Sequence, residues 1–228
     1  MMKTLIINIL LACFIKNAVC AQAPAVPQTD IVKKGKYTFT FINQDSKLDT
    51  ALKQRIINTF FTVYPELANA YNKKTAKSVT FIIDTAYKGV AETDNGRVTI
   101  SSHWMHLHPE DIDVITHEVM HIVQDYGNSV GPGWLTEGIA DYVRYKFGVN
   151  NAAAGWSLPK YKPTQNYDNA YRITARFLLW TEEKVKPGIV KKLDKALRNH
   201  TYNDQTWQQL TGKTVDELWK MYSENPEV

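Results

Sequence analysis

Cysteine is almost missing from this 228-residue chain, and the two that occur, Cys13 and Cys20, lie close to its start. A chain without that segment has no disulfide and no thiolate ligand. Its core alone must hold it, and any metal must sit on histidine and carboxylate. Blocks of like charge are also missing, as are repeats at solenoid periods. The most apolar run, Thr4 to Ile15, falls well short of the ~20 residues needed to cross a bilayer. Net charge is slight too. Without residues 1–21, Lys3 and Lys16 are lost and 25 basic residues face 23 acidic ones, a balance near +2. That gives no electrostatic footing for nucleic acid or for an anionic membrane surface as partner.

The start of the chain has the layout of an export signal: basic Met1-Met2-Lys3, the apolar run, then small residues from Asn17 to Ala21. We expect residues 1–21 to be a cleaved signal peptide and the protein to be secreted or periplasmic. Leu10-Leu-Ala-Cys13 resembles a lipid-attachment box, the competing reading, but would leave a very short apolar region before it. Residues 22–34, rich in Ala, Pro and polar side chains, read as a disordered leader to one domain over residues 35–226.

Strand patterns come first. Tyr37 to Ile42 alternates, and Lys77 to Ile83 ends in a continuous apolar run that suggests a central strand. Asp94-Asn95-Gly96 between two β-rich segments predicts a hairpin, whose second arm, Arg97 to Trp104, would be an exposed edge able to pair with an extended peptide. Between the strands, Leu48, Leu52, Ile56, Phe60 and Tyr64 form one helical stripe that Pro65 should stop or kink. Helical patterns then follow at 109–126, 134–147, 166–184, 187–199 and from Thr214, where Thr214 and Glu217 make a capping box. Strands before helices imply an α+β fold: a small mixed or antiparallel sheet with a helical C-terminal half.

His117-Glu-Val-Met-His121 is an HExxH motif within apolar surroundings. On a helix, histidines at i and i+4 project from one face and can grip one ion, with Glu118 placed to serve a water beside it. A catalytic zinc site takes three protein ligands and keeps one position open. The predicted helix after Gly131-Pro-Gly133 offers Glu137 as the third, with Asp141 one turn later to accept a hydrogen bond from a ligand histidine. Asp141 is also the competing ligand. His103, His106 and His108 read as surface residues rather than a second metal site.

HExxH followed by Trp134-Leu-Thr-Glu137-Gly-Ile-Ala-Asp141 resembles the gluzincin peptidases, in which the residue matching Glu137 is the third ligand. The wider chain resembles the basic secretory protein family of plants and bacteria, candidate zinc peptidases. That likeness rests on Phe81-Ile-Ile-Asp84, Gly89-Val-Ala91, Glu137 to Arg144, Tyr171 to Leu178 and Gly212 to Trp219. The chain departs from the family name in being barely basic. The resemblance implies one Zn²⁺ per chain, a peptide or protein substrate, and Glu118 as the general base of a metal-activated water. It also implies a tyrosine or histidine that stabilises the oxyanion. Tyr167 and Tyr171, four apart on the predicted third helix, are the candidates. Endopeptidase is the first reading and gluzincin aminopeptidase the second, with Glu92 in the hairpin as anchor for a substrate amine. A non-catalytic, zinc-bearing wall- or carbohydrate-binding module is the reading from another class, and the intact Glu118 weighs against it.

Overall fold

The computed structural model describes residues 27–128 and 131–228. The expected signal peptide, and residues 22–26 of the expected leader, lie outside the described residues. The rest of that leader is corrected: Gln28–Lys34 is a strand, β1. It is exposed and poor in apolar residues, so its pattern looks like a leader. Its order comes from antiparallel pairing with β2, Tyr37–Asn43, across the two residues Gly35 and Lys36. Gly35, at φ 57°, takes the position where a tight hairpin turn requires glycine.

Helix α1, Thr50–Ala70, returns the chain to β3, Ser78–Asp84, which pairs parallel to β2. Asp49 caps the helix by accepting from the Leu52 amide at 2.8 Å. Pro65 neither stops nor splits α1. It removes one backbone donor, and the buried stripe continues past it to Leu67 and Ala68, so packing outweighs the lost bond. The hairpin forms as predicted from β4, Ala91–Asp94, and β5, Arg97–Ser101, turning through Asn95 and Gly96, both at positive φ.

The strand order is β1-β2-β3-β5-β4, with the inner pairs parallel and the outer pairs antiparallel. β3 is central, as expected. β5 is not an edge: it lies between β3 and β4, and the outer strand is β4. A hairpin pattern identifies two partners but not which of them also meets a third strand. One sheet face carries Phe39, Phe41, Phe81, Val98 and Ile100, all fully buried. Phe60 of α1 packs on it, 4.5 Å from Phe39 between ring centroids.

A short helix α2, Ser102–Leu107, follows β5 where a strand end and loop were expected. Then comes α3, Val114–Gln124, shorter than the predicted 109–126. Asp113 explains the later start. It is fully buried, and its carboxylate accepts from Thr116 Oγ1 at 3.0 Å and from the Val149 amide at 2.8 Å, pinning the first turn of α3 to the loop after the next helix. That helix is α4, Gly133–Phe147. The third predicted helix is broken: a single 3-10 turn, Tyr167–Asn169, precedes α5, Tyr171–Lys184. The chain ends with α6, Ile189–Arg198, α7, Thr206–Thr211, for which no sequence pattern was read, and α8, Val215–Glu224, whose Thr214–Glu217 capping box forms. α3 lies beside α1 and against β4, α4 packs on α3, and α5 on α4. This stacking places α3 between the sheet and the helical half.

Candidate metal centre

The groove between α3 and α4 brings His117, His121 and Glu137 together. Among the described residues, theirs is the group of His, Cys, Asp and Glu side chains able to hold a metal ion. His117 Nε2 lies 3.1 Å from His121 Nε2 and 3.2 Å from Glu137 Oε2, and His121 Nε2 lies 3.5 Å from the same oxygen. Three ligands bonded at ~2.0–2.1 Å around a tetrahedral zinc would stand roughly 3.3 Å apart. The donor set therefore fits that ion in both chemistry and spacing.

Each imidazole is held from behind. The Nδ1–H of His117 donates to Asp141 Oδ1 at 2.7 Å, and that of His121 donates to Gln124 Oε1 at 2.7 Å. Donation from Nδ1 turns both Nε2 atoms toward each other and toward Glu137. Asp141 is thus placed behind His117 and stands outside the donor cluster. Gln124 was not singled out from the sequence, although its i+3 spacing from His121 was a usable signal. Its side-chain amide also donates to the Thr136 carbonyl at 2.9 Å, bridging α3 and α4 one residue before Glu137.

Three carboxylates, Glu118, Glu137 and Asp141, face two imidazoles. Burial opposes a charge on His117, but hydrogen bonds to Asp141 and Glu137, then the fields of Asp141 and Glu118, raise its pKa to about 10. Burial would raise Glu137 as well. Bonding to His117 and His121, and their charge, outweigh it and hold that carboxyl far below the usual range. The centre favours a cation between its donors, whether a proton or a metal.

Glu118 is buried and turned to the other wall. Its Oε2 accepts from the Thr93 hydroxyl on β4 at 2.6 Å, and its backbone carbonyl lies 3.1 Å from the same hydroxyl. Thr93 was also missed, since no sequence spacing links an edge strand to a helix 25 residues later. A cleft of about 1370 Å³ opens over these groups, between the β4 edge and α4.

The structure separates the two tyrosines. Tyr171 lines the cleft, its ring stacked near His117 at 6.2 Å between centroids, and the Glu137 charge, with burial and then Asp141 and Glu118, raises its hydroxyl pKa. Tyr167 does not line the cleft. Its hydroxyl donates to Asp216 at 2.9 Å, and its ring packs on Trp134 and Trp219. The reason is local. Ala170 adopts φ 62°, ψ −176°, a region glycine alone populates readily, so the two tyrosines do not share one helical face. Glu92 lines the cleft. His106 instead bonds Asp45 at 2.6 Å, and the His108 ring packs tilted against Trp104, so neither joins a metal group.

Gly138, beside Glu137, sets the distance between α4 and α5. A Cβ there would lie 2.2 Å from Thr174 Cγ2 and 2.6 Å from its Cβ. Thr174 cannot swing aside, because it is fully buried and its hydroxyl is bonded to the Tyr167 carbonyl. Gly138→Ala is expected to cost about 1–3 kcal/mol in chemical denaturation. A loss under about 0.5 kcal/mol would show that the helices separate freely.

A family model described as "Peptidase of plants and bacteria" matches residues 28–222. No curated protein matches the chain. Among solved structures, the fold is similar to an M1 zinc metallopeptidase from Deinococcus radiodurans, with 14% identity over 89% of this chain and 52% of that one, and a TM-score of 0.51. A mutant M1 zinc metallopeptidase from the same organism, bound to Tyr-Ser-Ala substrate, is similar at 14% identity, with the same coverages and a TM-score of 0.52. At that identity the likeness is one of fold, and the chain spans about half the length of these structures.

Proposed function

The chain belongs to the basic secretory protein family of plant and bacterial peptidases, and from that premise we propose that it hydrolyses peptide bonds with one zinc ion held by His117, His121 and Glu137. The observation that carries this reading is the convergence of three metal donors within 4.8 Å of one another, on the cleft that Glu118 also lines. Zinc there would supply a Lewis acid that makes water a nucleophile near neutral pH and polarises a carbonyl. Glu118 accepts the proton of the attacking water and passes it to the leaving amine as the C–N bond breaks. The Thr93 hydroxyl occupies one of its oxygens and leaves the other for that transfer. The Tyr171 hydroxyl donates to the developing oxyanion from the cleft wall. Asp141 and Gln124 keep the ligand nitrogens aimed.

Endopeptidase activity is the first reading. It is supported by a cleft that extends well past the donor cluster on the α3 and α4 side. Glu92 on the cleft wall favours aminopeptidase as the second reading, as a carboxylate able to hold a free amine. Parallel digestion of an N-acetylated, amidated peptide library and of the same library with free N-termini decides between them. Internal cleavage that is lost to a chelator and restored by one equivalent of zinc is expected. Hydrolysis confined to free N-termini would favour the aminopeptidase, and no zinc-dependent hydrolysis of either library would overturn the peptidase reading. Export through residues 1–21, cleaved after Ala21, is part of the proposal and rests on the basic start, apolar run and small residues there.

Zinc uptake has a pH signature. In the metal-free protein His117 binds a proton up to a pKa of about 10, and that proton must leave before Nε2 offers its lone pair. Below that pKa the proton competes, so zinc affinity rises with pH, by about tenfold per unit from this residue. Calorimetry at pH 7 in buffers of different ionisation enthalpy should report about one proton released from His117. Binding heats independent of the buffer would exclude this linkage.

A further inference from the structure

Beyond the metal donors the cleft continues toward the amino-terminal end of α3. Val114 stands one turn before His117 on α3, and Arg144 stands three residues after Asp141 on α4. Both line the cleft, so the groove extends roughly 5 Å past the first histidine. Two indoles flank this extension, Trp104 from α2 and Trp156 from the loop after α4. Each is fixed in place. Trp104 Nε1 donates to Asp111 Oδ2 at 2.9 Å, and the Arg144 guanidinium lies over the Trp156 ring at 4.4 Å.

The charges beside the indoles are committed: Asp111 and Arg144 to each other, and Glu110, which also lines the cleft, to Arg55 at 2.6 Å. Asp111 accepts from Arg144 on one oxygen and from Trp104 on the other, and Arg144 also donates through Nε to Asn151 at 3.1 Å. Both charged residues are buried. A lysine or arginine entering here would have to take Asp111 from Arg144, and an acidic side chain would have to draw Arg144 away from Asp111. Either exchange leaves a buried charge unpaired. An apolar ring requires neither exchange. It would lie between indoles already ordered before it arrives, so little further ordering is needed.

We propose that this extension is the subsite for one aromatic or large aliphatic side chain of the peptide substrate, next to the bond that is cut. The inference rests on the peptidase reading above and names the substrate class of the same cleft. Trp104 and Trp156 are its walls and Val114 its floor. The Asp111–Arg144 pair keeps both indoles in place and the subsite neutral.

Binding separates this subsite from the chemistry. Calorimetry would use the Glu118→Gln variant in zinc-containing buffer and acetylated, amidated hexapeptides that differ at one position. At one position flanking the central bond, Phe and Leu are expected to bind at least about tenfold tighter than Ala, with Lys and Glu no tighter than Ala. Adding Trp156→Ala should reduce the Phe-over-Ala ratio to about twofold or less, while zinc content stays unchanged. Trp156→Phe, which keeps a ring against Arg144, should retain most of the ratio, and it carries the test if the alanine variant does not fold. Equal binding of Phe and Ala at every position overturns the subsite, as does tighter binding of Lys or Glu, or a preference that survives loss of the Trp156 ring. Hydrolysis of the same peptides by the wild type is scored separately and decides only the peptidase reading.

Discussion

Glu118→Gln is expected to lower kcat by roughly 10²–10⁴-fold while zinc content and Tm stay at wild-type values. The amide has nearly the shape of the carboxylate and can still accept from the Thr93 hydroxyl, whose oxygen lies 2.6 Å from Glu118 Oε2. It cannot take a proton from water. The metal donors are on other residues and are untouched. Turnover within a few-fold of wild type would show that Glu118 is not the base. Full loss of turnover with zinc retained would also set aside a purely zinc-bearing binding module, since such a protein has no turnover to lose.

The second large effect distinguishes a ligand from the group behind it. Glu137→Ala should remove nearly all tight zinc binding, because only His117 and His121 remain to hold the ion. Asp141→Asn should weaken binding by only about 10–100-fold, with full occupancy recovered at high zinc. Its oxygen can still accept from the Nδ1–H of His117, 2.7 Å away, but the negative charge that makes that imidazole a stronger donor is gone. Zinc titration of the two variants measures this ranking. The reverse order would make Asp141 the ligand and Glu137 the outer group. Both residues lie on α4, so a shared folding defect is checked by comparing Tm values.

The parts of the site that lie on one helix were legible in the chain. His117, Glu118 and His121 are bound by helical spacing, and so are Glu137 and Asp141, since a 3.6-residue period decides which side chains share a face. Gln124 obeys the same rule and could have been read with them. Thr93 could not. It reaches Glu118 because β4 is the outer strand and lies against α3, and no local period records which strand is outermost. The same ignorance made β5 look like the edge, since hairpin pairing is local but the third strand is chosen by distant packing.

Strand β1 and the turn at Ala170 show two other limits. β1 has almost no apolar alternation because neither of its faces is buried. Its order depends on β2, which the segment itself does not encode. At Ala170 the helical pattern continues in sequence from Tyr167 to Tyr171, and only the backbone's positive φ places one ring on Asp216 and the other on the cleft. The sequence by itself determined the α+β order, the hairpin turn and the two histidines of one face, with Glu137 and Asp141 left as rival third donors, because each depends on residues within a few turns of chain. The packing of α4 on α3 is what groups Glu137 with the histidines and sets Asp141 behind His117. The tertiary structure alone decided which tyrosine lines the cleft, which hydroxyl holds Glu118, and how two tryptophans from different elements face one groove. Those are meetings between segments far apart in the chain, and side-chain packing across the whole fold selects them.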